Sequence, residues 1–220
     1  MRKLQVIFFD VGNTLLFPNR ARMLAPLARK RHPSLEQWQA LERRTKLEFD
    51  RDMEAGDVNH GFWWRFHTHL LEERGEDGGI RDALVKNAKD SSNWDEILPG
   101  TREILERIAA DFRIAVISNA DGRVGQVLSR CGIGDCFESV TDSGLIGVEK
   151  PRAEIFQAAL ATLNARAGES LYVGDVYSVD YVGARNAGMD AVLLDVAGAY
   201  RNRELPRVES LGEFEEWLRD

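Results

Sequence analysis

The sequence predicts an α/β fold, a Rossmann-like parallel sheet core carrying an inserted small helical cap. Three observations predict it. Short apolar runs alternate with stretches of helical period through the second half of the chain, the pattern of a parallel sheet covered on both faces. The first apolar run stops at Asp10-Val11-Gly12, so it reads as a buried strand followed by a turn. A block of helical period from about Phe17 to Ser92 contains no convincing strand and interrupts the alternation.

In order, residues 4–9 form the first predicted strand. Four predicted helices follow, over 20–31, 35–53, 61–74 and 80–89. Turns at His32-Pro33, Gly56-Asp57 and 75–79 separate them. The alternation then resumes. Strands are expected over 113–118, 137–141, 171–174 and 191–194, and helices over 101–110, 123–131, 153–165 and 179–187. Pro99-Gly100 and Lys150-Pro151 punctuate helix starts. Residues 209–220 read as a terminal amphipathic helix. The division this implies is a core of 1–16 and 93–220 with a cap of 17–92 over the carboxyl end of the sheet. In the cap, Phe62, Trp63, Trp64, Phe66 and Leu70 form a stripe that reads as cap core. His60, His67 and His69 show no metal-site spacing and read as surface or cap-core residues.

Composition narrows the classes. The 220 residues carry a net charge of −7, with 44% hydrophobic and 30% charged residues. That suits one domain with a smaller insertion. The acidic balance argues against nucleic-acid binding, which needs clustered Lys and Arg. No apolar run approaches the ~20 residues of a membrane span. The apolar start is cut by Asp10 with no small-residue cleavage site after it, so a signal peptide is not expected. Cys131 and Cys136 match no metal spacing and no disulfide framework. They read as reduced thiols of a cytoplasmic protein. Monomer and homodimer both remain open.

In open parallel sheets the ligand sits at the carboxyl ends of the strands, near the switch point. At those ends stand Asp10-Val11-Gly12-Asn13-Thr14, Ser118-Asn119 and Gly174-Asp175, with Lys150 before a helix and Asp180 five residues past Asp175. This set suits a phosphoryl group. Asp10 and Asp175 are candidates to share Mg²⁺, which prefers oxygen ligands. Turn amides after the first strand form an anion-binding concavity. Lys150 and Ser118 would satisfy phosphate oxygens, and an aspartate so placed can attack phosphorus to form an aspartyl-phosphate.

Four segments, FFDVGNTLL at 8–16, VISNA at 116–120, KP at 150–151 and GDVYSVD at 174–180, occur in an order that resembles the haloacid dehalogenase-like hydrolase superfamily. The inserted helices look like its C1 type of cap. The resemblance implies that Asp10 is the nucleophile, that the Gly12 carbonyl and Asp175 join Asp10 as magnesium ligands, and that Thr14 orients the nucleophile. It further implies that Val11, Gly12, Ser118, Asn119 and Lys150 bind phosphate and that Asp180 supports Lys150 or a metal-bound water. The substrate would be a small phosphorylated molecule. In such caps the loop between the second and third helices faces the active site, which makes Arg51, Asp57 and His60 candidates for substrate contact or proton donation.

One position departs from the pattern. Phosphatases of the superfamily place a second aspartate, a general acid and base, where this chain has Gly12. Losing a positioned acid costs on the order of 10²–10⁴ in rate. Substrates with good leaving groups are therefore expected, and Gly12→Asp is expected to raise alkyl phosphatase activity. Dehalogenases of the superfamily carry Tyr at this position and phosphonate hydrolases Ala. Gly174-Asp175 favours metal and phosphate over dehalogenation. The phosphonate enzymes use a cap lysine as a Schiff base, and Lys46 is the loose match. C–P or C–halogen cleavage, and a catalytically weak ligand-binding protein, are the alternatives.

Overall fold

The computed structural model describes residues 3–29, 32–56, 61–76 and 78–219. Asp57 and His60 therefore lie outside the described residues. Six strands, β1 (Val6–Phe9), β2 (Arg113–Ser118), β3 (Val140–Asp142), β4 (Ser170–Gly174), β5 (Asp190–Leu194) and β6 (Arg207–Val208), form one sheet in the order β3-β2-β1-β4-β5-β6. Every pairing is parallel. The sixth strand was not expected. It is a two-residue pairing of Arg207 and Val208 with Leu193 and Leu194, too short to leave a period in the sequence.

Ten α-helices are described. Four fall in the insertion after β1: α1 (Arg20–Met23), α2 (Leu35–Ala55), α3 (Phe62–Arg74) and α4 (Arg81–Lys89). Then come α5 (Thr101–Asp111), α6 (Val124–Arg130), α7 (Ser143–Ile146), α8 (Ala153–Thr162), α9 (Val182–Asn186) and α10 (Leu211–Trp217). All four residues of β1 are buried, and strand alternation sends them to opposite faces. Ile7 and Phe9 join a cluster with Leu105 of α5, Val127 of α6 and Phe214 of α10. Val6 and Phe8 join another with Ile155 and Phe156 of α8 and Ala184 of α9. A central strand covered on both faces explains why residues 6–9 contain no polar side chain.

Helices α1 to α4 keep a hydrophobic cluster of their own, built from Met23, Trp38, Leu41, Phe66, Leu70 and Leu84 among others. The chain leaves and re-enters the sheet layer at one place. Phe17 and Glu96 exchange backbone hydrogen bonds of 2.7 and 3.2 Å, and Asn19 N–H donates to the Asn93 carbonyl at 2.7 Å. Helix α2 starts on a capping box of Ser34 and Gln37 and stops at Gly56, whose φ of 74° suits glycine. Its residues 43, 46, 50 and 54, at helical spacing, face the sheet layer. Arg43 donates to the Ala197 carbonyl at 3.0 Å. Asp50 accepts from Ser178 N–H and the Tyr200 hydroxyl, both at 2.9 Å. Glu54 pairs with Arg203 at 3.3 Å. No helix among the described residues is long and apolar enough to cross a membrane.

Two expected helices differ. The first is a single turn, Arg20–Met23, instead of 20–31. Pro26 lacks an N–H and disfavours helical backbone in the residue before it. The helix expected over 179–187 begins earlier and in two pieces, a π-helical turn Tyr177–Tyr181 followed by α9. The wide turn brings Asp180 back to the end of β4, where its Oδ2 accepts from the N–H groups of Asp175 and Val176 at 3.1 and 2.9 Å.

Candidate active site

The strand order reverses at β1, and the adjacent carboxyl ends of β1 and β4 bring Asp10 and Asp175 together. Phe9 is in register with Val173, and Asp10 N–H donates to the Val173 carbonyl at 2.8 Å. Ligand oxygens of Asp10, Asp175 and Asp180 all lie within 4.8 Å of one another. Lys150 is the hub. Its Nζ donates to Asp10 Oδ1 at 2.6 Å, to Asp180 Oδ1 at 2.7 Å and to the Tyr172 hydroxyl at 2.7 Å. Tyr172 in turn donates to the Ile117 carbonyl at 3.0 Å.

Local sequence explains much of this. Gly174 has no alternative, since a Cβ there would stand 2.5 Å from the Asp180 carboxyl carbon. Asn13 adopts left-handed backbone at φ 53°, a conformation asparagine tolerates. From there its amide donates to Asp175 Oδ2 at 3.2 Å. The N–H groups of Asn13 and Thr14 are spent on the carbonyls of Leu16 and Val11.

Burial dominates the electrostatics. It pushes the Asp10 carboxyl up to about 7, against the pull of Lys150 and with help from Asp180 and Asp175. It pushes Asp175 up to about 6, against Lys46. Burial also acts against the Lys150 ammonium, but Asp10 and Asp180 outweigh it and hold the charge.

The expected residues fall as follows. Asp10, Val11, Gly12, Ser118, Asn119, Lys150, Asp175 and Asp180 converge on one cavity of about 620 Å³. Asn119 does more than line it. Its carboxamide accepts from Lys150 N–H at 2.7 Å and donates to the Lys150 carbonyl at 3.0 Å, so the side chain positions the lysine. Thr14 is buried, yet its hydroxyl has no hydrogen-bond partner among the described residues. The Asp10 carboxylate is held by Lys150 at 2.6 Å. Arg51 is exposed and turns back to the Leu47 carbonyl at 3.3 Å, away from the cavity, because α2 presents Phe49 and Met53 on that side.

Four roles are not legible in the sequence, two of them for residues already named there, Lys46 and the aromatic stripe of α3. Lys46, almost wholly buried, reaches from α2 to Asp175 Oδ2 at 2.8 Å and to Glu42 at 2.8 Å. Burial pulls its ammonium down, but Asp175 and Glu42 hold it well above the ordinary lysine value. Lys46 is therefore a charged partner of Asp175 in this structure. Tyr172 sits under Lys150. The aromatic stripe of α3 serves two purposes, with Phe66 in the cap cluster while Phe62 and Trp63 also line the cavity. Finally, the Trp94 ring stands 3.3 Å from where a Gly12 Cβ would be. It is fixed there by its Nε1–H bond to the Ala88 carbonyl at 2.8 Å and by edge contact with Trp63. A side chain at position 12 would therefore require the Trp94 ring to give way by a few tenths of an ångström.

These residues fit a hard divalent cation. Among the described residues, Asp10, Asp175, Asp180 and Glu42 are paired with two ammonium groups, Lys46 and Lys150, so ionising all four acids leaves a buried charge of about −2. Asp10 Oδ2 and Asp175 Oδ1 are the oxygens that the lysines do not occupy.

A buried carboxylate and lysine cluster beneath helices, at the carboxyl edge of a parallel sheet, defines an α/β enzyme. More particularly, the chain belongs to the haloacid dehalogenase-like hydrolase family, whose profile matches residues 4–188. It is 31% identical over 139 residues to haloacid dehalogenase-like hydrolase domain-containing protein 3 of Xenopus laevis, a match covering 60% of this chain and 57% of that protein. It is 26% identical over 227 residues to the 5-amino-6-(5-phospho-D-ribitylamino)uracil phosphatase YigB of Escherichia coli, covering 94% of this chain and 92% of that protein. The fold is that of the HAD-hydrolase YfnB of Bacillus subtilis, with a TM-score of 0.71 at 19% identity over 99% of this chain and 100% of that one.

Proposed function

We propose that the chain is a Mg²⁺-dependent phosphatase acting on a small phosphorylated molecule through an aspartyl-phosphate on Asp10. The observation that carries this reading is the buried convergence of Asp10, Asp175 and Asp180 on Lys150 at the switch point of the sheet. The phosphatase relative, similar over 94% of the chain, supports the substrate class. Helices within 17–92 act as the cap on a core of 1–16 and 93–220. The paired exit and re-entry at Phe17 and Glu96 supports that division. The working compartment is the cytoplasm, in keeping with free Cys131 and Cys136.

Asp10, Asp175 and the Gly12 carbonyl would hold the cation, which when bound offsets the repulsion between carboxylate and phosphate. Lys150, the Ser118 hydroxyl and the Val11 and Gly12 amides grip the phosphoryl oxygens. Thr14, its hydroxyl unspent, steadies the nucleophile. Asp10 attacks phosphorus, and the bond to the leaving oxygen breaks. Water then cleaves the acyl phosphate, releasing inorganic phosphate and restoring the Asp10 carboxylate. Gly12 offers no proton, so the leaving group departs as its anion. Aryl and acyl phosphates are therefore the favoured class. The apolar wall of Phe49, Met53, Phe62, Trp63 and Trp94 suits an aromatic leaving group.

The test is hydrolysis of p-nitrophenyl phosphate against hexose phosphates, with Mg²⁺ and with EDTA. The aryl ester should be the better substrate by kcat/KM, and EDTA should stop its turnover. Equal rates in EDTA would refute the mechanism.

The packing of Trp94 revises the expectation for Gly12→Asp. Alone it should lower stability by roughly 1–3 kcal/mol through overpacking and bring no gain on alkyl phosphates. Combined with Trp94→Leu, which clears the space, alkyl phosphatase activity should rise, with a ceiling near the ~10²–10⁴ of a positioned acid. Thermal melts and kinetics of the single and double variants check this. A gain in the single variant would mean that the ring yields.

A further inference from the structure

Lys46 is the one tie between α2 and the sheet layer, among those described, that ends on the reacting cluster. Arg43, Asp50 and Glu54 fasten the same helix to residues 178 to 203, away from Asp10. Lys46 Nζ instead lies 2.8 Å from Asp175 Oδ2, with side-chain exposures of 1% and 7%. Glu42, one helical turn back, holds the ammonium from its other side at 2.8 Å. A lysine so buried and doubly paired is fixed in place. Its charge stands beside the carboxylate that the proposed function gives to Mg²⁺. Like charges a few ångström apart repel strongly where water is excluded.

On that reading of Asp175, we infer that Lys46 is an intramolecular competitor of the divalent cation, so that cation binding and the seating of α2 oppose each other through Asp175. The coupling is reciprocal by thermodynamic necessity. If Lys46 weakens cation binding by some factor, the bound cation weakens the Lys46–Asp175 tie by the same factor. The cap helix is thereby held most firmly on the cation-free protein and loosened when the cation arrives. Lys46 is a positioning residue in this scheme, acting through Asp175 and touching no substrate.

Calorimetric titration of Mg²⁺ into the wild type, Lys46→Met, Tyr200→Phe and Asp175→Asn tests it without any turnover. Lys46→Met should bind Mg²⁺ at least ten-fold more tightly. Tyr200→Phe loosens a different α2 tie, the hydroxyl bond to Asp50, and should leave Mg²⁺ affinity within two-fold. Unchanged or weaker binding in Lys46→Met, with binding lost in Asp175→Asn, would overturn the competition while sparing the metal site. Unchanged binding in Asp175→Asn would overturn both. Should Lys46→Met fail to fold, the wild type still decides. Acetylation of Lys46 by acetic anhydride, read by peptide mass spectrometry, should be several-fold faster with saturating Mg²⁺. Equal rates with and without Mg²⁺ would reject the inference.

Discussion

Asp10→Asn is expected to remove turnover by on the order of 10⁴-fold or more while leaving the fold intact. The rate argument is chemical. An amide oxygen is too poor a nucleophile to form the covalent intermediate, and removing a nucleophile costs the whole of that pathway. The stability argument is electrostatic. Burial pushes the Asp10 carboxyl up to about 7 even with Lys150 at 2.6 Å, so the folded protein holds that charge at a cost. Asparagine keeps the shape, removes the charge and leaves Lys150 with Asp180 and the Tyr172 hydroxyl. The melting temperature should therefore stay level or rise. Single-turnover kinetics and thermal melts on the same preparation separate the two effects. A variant that retains more than about 1% of wild-type turnover would remove Asp10 from the role of nucleophile.

What was legible in the sequence was whatever the chain encodes locally. A strand end is marked by the residue that stops an apolar run, so Asp10, Ser118 and Asp175 could be located, and the parallel sheet then required them to share an edge. The contacts of α2 were a different matter. Its charged residues at 43, 46, 50 and 54 look, in sequence, like the solvated face of a surface helix, and only the docking of that helix on the sheet layer buries Lys46 and Asp50. Helical spacing of two basic and then two acidic residues is the available signal, but a charged face is solvated far more often than it is docked. Tyr172 was hidden for a related reason, since a strand tyrosine reads as core until its hydroxyl is seen beneath Lys150. Trp94 could not be tied to Gly12 at all, because they are separated by the whole helical insertion. Pro26 is the local signal that ends the first helix. Local chemistry overruled periodicity there.

His67 provides the second large effect, on stability and not on rate. By sequence it is one of three surface or cap-core histidines, and the structure buries it completely. Its ring is inaccessible, flanked by Phe66 and Trp63, and neither nitrogen has a hydrogen-bond partner among the described residues. Burial alone drives its pKa from 6.5 down to about 3. Between those two values the unfolded chain binds a proton that the native state refuses, so unfolding free energy rises with pH across the window and is lost as pH falls from about 6.5 toward 3. The full span corresponds to roughly 4–5 kcal/mol. His67→Phe keeps an aromatic ring of similar reach, adds nothing that titrates and suits its aromatic neighbours. Urea unfolding from pH 7.5 to pH 4 should show the wild type losing about 3 kcal/mol more than this variant, most of it below pH 6. The comparison isolates His67, because the other titrating groups are common to both proteins. Parallel stability curves would mean that the imidazole finds water or a partner on protonation and that the cap core opens to accept the charge.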